Sequence, residues 1–250
     1  AKWLQLQLGN GEAHGQRLFS EANAWNMWTV QTPRAVSAGS RSNTPSTHFR
    51  GYGLGWGLND YRGKLIVSHG GGYDGMFSRV VLVPEEYLAM AVFAISRTSF
   101  STAITNTILD AYLGGGETDW SATMLPAWRA ARARFEARQD RFMEERAEGT
   151  SPSLALGDYA GEYTGPMYGD ATVSLEGGGL VLRLNPNPDL VADLTHLHHD
   201  TFLMEWRTTF AWFGKGAATF VLDPYGEVVE VKLDVPNDDL WFHELELKRR

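Results

Sequence analysis

The stretch IVSHGGGYDGMFSRVVLVPEE, residues 66–86, decides how the first part of the chain folds and where its chemistry lies. An apolar run, Leu65-Ile66-Val67, delivers His69 into Gly70, Gly71 and Gly72, and a second apolar run leaves through Ser78. Strand interiors normally avoid glycine, which packs nothing and costs ordering entropy. Three in succession leave a strand stripped of side chains. Another extended backbone can then lie against it, and its N–H groups are free to bind a peptide-like ligand or a developing oxyanion. A histidine at the lip of that strand titrates near neutral pH and can orient a proton or a carboxylate. Taken alone, a histidine beside a glycine-rich turn is an ordinary structural feature, so the surroundings must decide.

Working outward, YGLGWGLND, KLIVSHG, MFSRVVLVPE and LAMAVFAIS read as four strands of an antiparallel sheet. The segments Asn59–Gly63 and Pro84–Tyr87 supply turns. Upstream, AKWLQLQL is amphipathic and helical, Ser20 caps a second short helix, and residues 31–50 read as a polar loop. STAITNTILDAYLGG is a helix that packs on the sheet and closes at Gly114 to Gly116. Residues 120–148 form a long charged helix, in which Trp128, Phe135 and Phe142 recur every seven residues as one packing stripe. From residue 155 the pattern changes to about eight short alternating strands linked by tight turns, a meander that closes into a small barrel.

Composition narrows the function classes. Of the 250 residues, 43% are hydrophobic and 21% charged, as in an ordinary globular protein, and no cysteine is present to serve as nucleophile, thiolate ligand or disulfide. No apolar run reaches the ~18 residues of a membrane span. The net charge is −8. Residues 150–250 hold seven basic and sixteen acidic residues, which argues against a nucleic-acid partner for that part. The first residues read as the middle of a helix, and a fragment or processed product is expected.

In order and content, residues 1–113 resemble the C-terminal part of the serine β-lactamase-like family of class C β-lactamases, D-aminopeptidases and penicillin-binding-protein-like esterases. The resemblance is carried by AKWLQLQLGNG…WNMWTVQTP, by YGLGWGL, by HGGGYDGMFSRVVLVPE and by LAMAVFAISRTS. LGDYAGEYTG and the strand-rich residues after it resemble the lipocalin-like barrel appended to many members. The fold class expected is therefore α+β. Residues 1–116 are the C-terminal half of a β-lactamase-like domain, 117–152 a linker helix and 153–250 a lipocalin-like β-barrel.

Carried over, His69 takes the place of the family's motif lysine or histidine, Gly70 that of its Thr or Ser, and Gly71 is the motif glycine. The backbone N–H of Gly72 becomes an oxyanion donor. Tyr73 and Asp74 join Gly70 and Gly71 as substrate contacts. Gly70 lacks the usual hydroxyl, which favours a peptidase or esterase over a β-lactamase. No serine here has a lysine three residues on, and no tyrosine has an asparagine two residues on. The nucleophile is therefore expected upstream, on an N-terminal half of the same protein, and this chain alone is expected to be inactive. The alternative is a catalytically dead member that binds a ligand or partner.

A small-molecule or peptide substrate, a homo-oligomer and no cofactor complete the expectation, and the resemblance tilts the compartment toward the periplasm or the cell exterior. Other candidates are weaker. His196 and His198 alternate onto one strand face at a spacing that can hold a metal, but exposed strand histidines are the plainer reading. His14 and His48 read as solvated loop residues. Trp206, Phe210, Trp212 and Phe213 read as aromatic barrel core.

Overall fold

The computed structural model describes every residue except Pro45, Asp74, Arg97, Ala211, Asp238 and Asp239, and only the backbone of Ser42 and Asn43. The chain forms two compact units, residues 1–129 and 130–250. In the first, the elements are α1 (Lys2–Leu8), the short ladder β1 (Glu12–Ala13) and β2 (Gln16–Arg17), α2 (Glu21–Met27), β3 (Thr32–Arg34), α3 (Ala38–Asn43) and β4 (Arg50–Tyr52). They continue with β5 (Gly57–Tyr61), β6 (Lys64–Tyr73), β7 (Met76–Val83), β8 (Leu88–Ala94) and α4 (Phe100–Tyr112). α5 (Trp120–Glu144) runs through the boundary between the units.

β3 to β8 form one antiparallel sheet in sequence order. Alternation sends Tyr61, Ile66, Val81, Val83 and Met90 to one face, where they pack with Leu109 of α4. Leu58, Val67 and Leu82 go to the other face, with Trp28 and Trp56. The expected N-cap is present: the Ser20 Oγ accepts the Asn23 N–H at 3.2 Å. The β5–β6 hairpin turns on Arg62 and Gly63, both at positive φ (51° and 75°), the pair a two-residue I′ turn requires. Buried Asp110 of α4 accepts the Tyr61 hydroxyl at 2.5 Å and the Trp120 indole N–H at 2.7 Å, tying helix to sheet.

Two local readings are corrected. YGLGWGLND is not one strand but β4, a reversal and β5. At Gly53 a Cβ would sit 2.1 Å from the Met27 carbonyl oxygen, and Gly55 has φ +80°. Those glycines therefore build a tight bend rather than a strand. Residues 31–50 are not wholly loop. They contain β3, which exists by pairing with β4, and α3, whose N-cap Ser37 accepts the Ser40 N–H.

The second unit holds α6 (Leu156–Tyr159), β9 (Gly161–Gly165), β10 (Gly169–Glu176), β11 (Gly179–Leu184) and β12 (Val191–His198). It continues with β13 (Thr201–Trp206), β14 (Gly216–Leu222), β15 (Val228–Asp234) and β16 (Leu247–Arg249). These eight strands close into an antiparallel barrel, with β16 pairing β9. Its interior is filled rather than hollow: Tyr159, Tyr163, Leu182, Phe202, Met204 and Ala218 are fully buried. The Phe202 ring lies 5.3 Å from Tyr159 and 5.6 Å from Phe220. Eight strands enclose just enough space for such side chains. Trp206, Phe210, Phe213 and Phe242 stack as an aromatic group of that core. Near the C-terminal end a 3₁₀ turn at Phe242–Glu244 precedes the last strand, and only Leu247–Arg249 joins the ladder. Among the described residues, no helix is long and apolar enough to cross a membrane.

Candidate functional site

β6 is ten residues long, and its two neighbours do not run equally far along it. β5 pairs with it only from Lys64 to Ser68, the last pair being Gly57 with Ser68. β7 continues beside it to the end, opposing His69 with Val80, Gly70 with Arg79, Gly71 with Ser78, Gly72 with Phe77 and Tyr73 with Met76. From His69 to Tyr73, among the described residues, one edge of the strand is therefore paired and the other is open. This is the arrangement that accepts a further extended backbone.

Gly70 and Gly71 are not demanded by the protein's own packing. A Cβ on Gly70 would come no nearer than 3.6 Å to any atom, and one on Gly71 no nearer than 3.5 Å, both ordinary van der Waals contacts. Neither residue has a positive φ. The bare stretch leaves space outside the chain instead. His69 and its neighbours through Tyr73 are exposed, and Tyr73 is 77% so. The His69 ring lies 6.5 Å from that of Tyr52. Asp74 lies outside the described residues.

Beside the open strand is a cleft of about 430 Å³, lined from β6 by Ser68, His69 and Gly70. Its remaining wall contains residues the sequence reading did not single out: Arg34, Arg50, Asn59, Arg79 and Asn106. Among the described residues its lining contains no carboxylate. Arg34 lies over the Tyr52 ring at 4.8 Å, and the Arg50 guanidinium donates to Ser40 Oγ at 2.6 Å. The Arg79 Nε is buried without a hydrogen-bond partner, and this desolvation pulls the guanidinium's pKa down. One signal was visible in the sequence: Arg79 is the one charged residue inside the run MFSRVVLV.

The other histidines separate by partner. His48 lies in a loop with its side chain 83% exposed, as expected, yet it has a partner. Its Nδ1 lies 2.6 Å from an Asp60 carboxylate oxygen, while Asp60 also accepts the His48 and Phe49 N–H groups. Burial pushes the Asp60 carboxyl up, but these hydrogen bonds outweigh it and hold the pKa below its usual value. His14 sits in an exposed turn at φ 54°. His196 Nε2 lies 3.0 Å from the His199 carbonyl oxygen, and His198 Nδ1 accepts the Ala147 N–H, with a bulge between the two in the ladder. Among the described residues no three His, Asp or Glu side chains gather to hold a metal.

Comparison with known proteins gives partial matches. A protein-family model described as a domain of unknown function, DUF3471, matches residues 145–249, the barrel and the residues just before it. The chain is 29% identical over 139 residues to the unguisins hydrolase ungD′ of Aspergillus campestris, covering 52% of this chain. It spans only a quarter of that relative, 25% of its length. Among solved structures, the C-terminal domain of penicillin binding protein Rv0907 is 30% identical over 43% of this chain and 95% of its own, with a TM-score of 0.33. The octameric penicillin-binding protein homologue from Pyrococcus abyssi is 16% identical, over 94% of this chain and 44% of its own, with a TM-score of 0.38.

Proposed function

We propose that this chain is the C-terminal part of a serine hydrolase that cleaves a peptide, amide or ester through an acyl-enzyme. The observation that carries the reading is the half-open, glycine-bare end of β6 beside an exposed His69. The similarity to a fungal hydrolase and the order of the sequence motifs support it. In this reading residues 1–116 complete the hydrolase domain, 117–152 link it, and 153–250 form a lipocalin-like barrel.

An upstream serine attacks the scissile carbonyl while its own lysine and tyrosine partners move the proton. The substrate lies as an extra extended segment along residues 70–73, with Tyr73 and Asp74 at the far end. The Gly72 N–H helps hold the oxyanion, and His69 orients the substrate or tunes the tyrosine. Bare glycines let the substrate backbone come close enough to bond.

The test is intact mass before and after a fluorophosphonate probe. The 250-residue chain is expected to remain unlabelled, and the longer protein that carries it to gain one probe on the preceding segment. His69→Ala in that longer protein should lower turnover by about 100-fold, the lower range for a positioned acid–base group, without loss of fold. A longer protein that takes no probe would instead indicate a binding protein. Labelling of a serine within this chain, or full turnover by His69→Ala, would overturn the assignment of roles.

A further inference from the structure

Arg34 and Arg50 are direct cross-strand partners in the β3–β4 ladder. Like charges placed opposite each other destabilise a sheet, and among the described residues no acid side chain in the cleft lining separates or neutralises them. On the other side of the same cleft, Arg79 projects from β7 with its Nε buried and unbonded. A buried guanidinium N–H left without an acceptor is unfavourable unless a ligand supplies one. Two cationic poles thus face one cavity, the Arg34–Arg50 pair on β3 and β4 and Arg79 on β7. β4 and β7 are three strand spacings apart, roughly 14 Å between backbones, and all three arginines line the cavity.

We propose that this cleft binds a small ligand carrying two carboxylates, one held by the Arg34–Arg50 pair and the other by Arg79. A planar guanidinium fork matches a carboxylate in bidentate geometry. Two separated poles in about 430 Å³ suit an elongated dianion better than one compact tetrahedral ion. Asn59 and Ser68 line the floor between the poles and offer neutral hydrogen bonds to the ligand's middle. Binding here requires no turnover, so it stands or falls separately from the proposed hydrolysis.

The test is calorimetric titration of the 250-residue chain with glutarate, butyrate and inorganic phosphate at low ionic strength. Glutarate should bind at least tenfold more tightly than butyrate and more tightly than phosphate. Arg79→Met should weaken glutarate by tenfold or more while leaving butyrate nearly unchanged, because one pole remains. Arg183→Met, on the barrel surface, should leave all three unchanged. If Arg79→Met loses its circular dichroism signature, Arg50→Met provides the same reading from the other pole. Equal affinity for glutarate and butyrate, tighter binding of phosphate, or indifference to both arginine changes would overturn the proposal.

Discussion

Two strand glycines of the barrel and two of β6 are used in opposite ways. The two in the barrel are forced by close neighbours: a Cβ on Gly165 of β9 would lie 2.1 Å from the Leu245 carbonyl oxygen, and one on Gly216 would lie 2.7 Å from that of Asp234. In the sheet of the first unit, Gly70 and Gly71 meet nothing closer than 3.5 Å. The barrel pairs each of its eight strands on both sides, whereas β6 leaves five residues with one free edge. Closure removes the adhesive edges of a sheet. Gly165 and Gly216, inside the closed barrel, answer an internal constraint. A glycine on an open edge with room around it points to something that must approach from outside.

The largest effect that can break this contrast is loss of the barrel's filling. Phe202→Ala, at a fully buried ring among Tyr159 and Phe220, should cost about 3–5 kcal/mol of stability, read from urea unfolding. A cost below about 1 kcal/mol would mean the interior is loosely packed and able to admit a ligand. Next comes Gly165→Ala, whose Cβ collides with backbone and should cost about 1–3 kcal/mol; a neutral result would erase the distinction between the two sets of glycines.

Acid provides a third test. The Asp60 carboxyl has a folded pKa below its unfolded value of about 3.9. Its stabilisation is therefore complete above that value and disappears as pH falls through the lowered folded one. Between about pH 7 and pH 3, urea midpoints should drop less for Asp60→Asn than for the unaltered protein; an equal drop would place the acid sensitivity elsewhere. Exposed Glu176, held down to about 2 by Arg183, should remain ionised across that window. The smallest effect is expected at Gly71→Ala, within about 1 kcal/mol of unaltered stability. If that variant unfolds, the bare strand is structural after all.

What was legible in the sequence was what local pattern specifies. The alternation in KLIVSHG and MFSRVVLV placed β6 and β7, and the Ser20 cap placed α2. The eight short alternating runs anticipated the strand number of the barrel, though not that its last strand is three residues. The failures came where tertiary contacts overrule pattern. Gly53 and Gly55 look like strand alternation but serve a bend, Gly53 by its close approach to Met27 and Gly55 by its positive φ, and β3 exists only because β4 pairs with it. His48 is solvated as read, but its bond to Asp60, twelve residues away, could not be seen in local pattern. The arginine cleft was invisible for a related reason. Arg34, Arg50 and Arg79 are scattered in the chain and meet only once the sheet is assembled.

The barrel closes through its shortest strand. β16 contributes three residues, pairing Lys248 and Leu247 with β15 and Lys248 and Arg249 with β9. Arg249 reinforces this seam by donating to the Asp158 and Ala160 carbonyl oxygens, and Arg250 by pairing with Asp170 at 2.8 Å. A cylinder with one such narrow stave has a built-in line of weakness. Thermal breathing is expected to start there, so amide protons of β9 and β15 that face β16 should exchange with solvent sooner than those between β10 and β11. The side of the barrel least able to hold its protons is thus set by where its shortest strand falls.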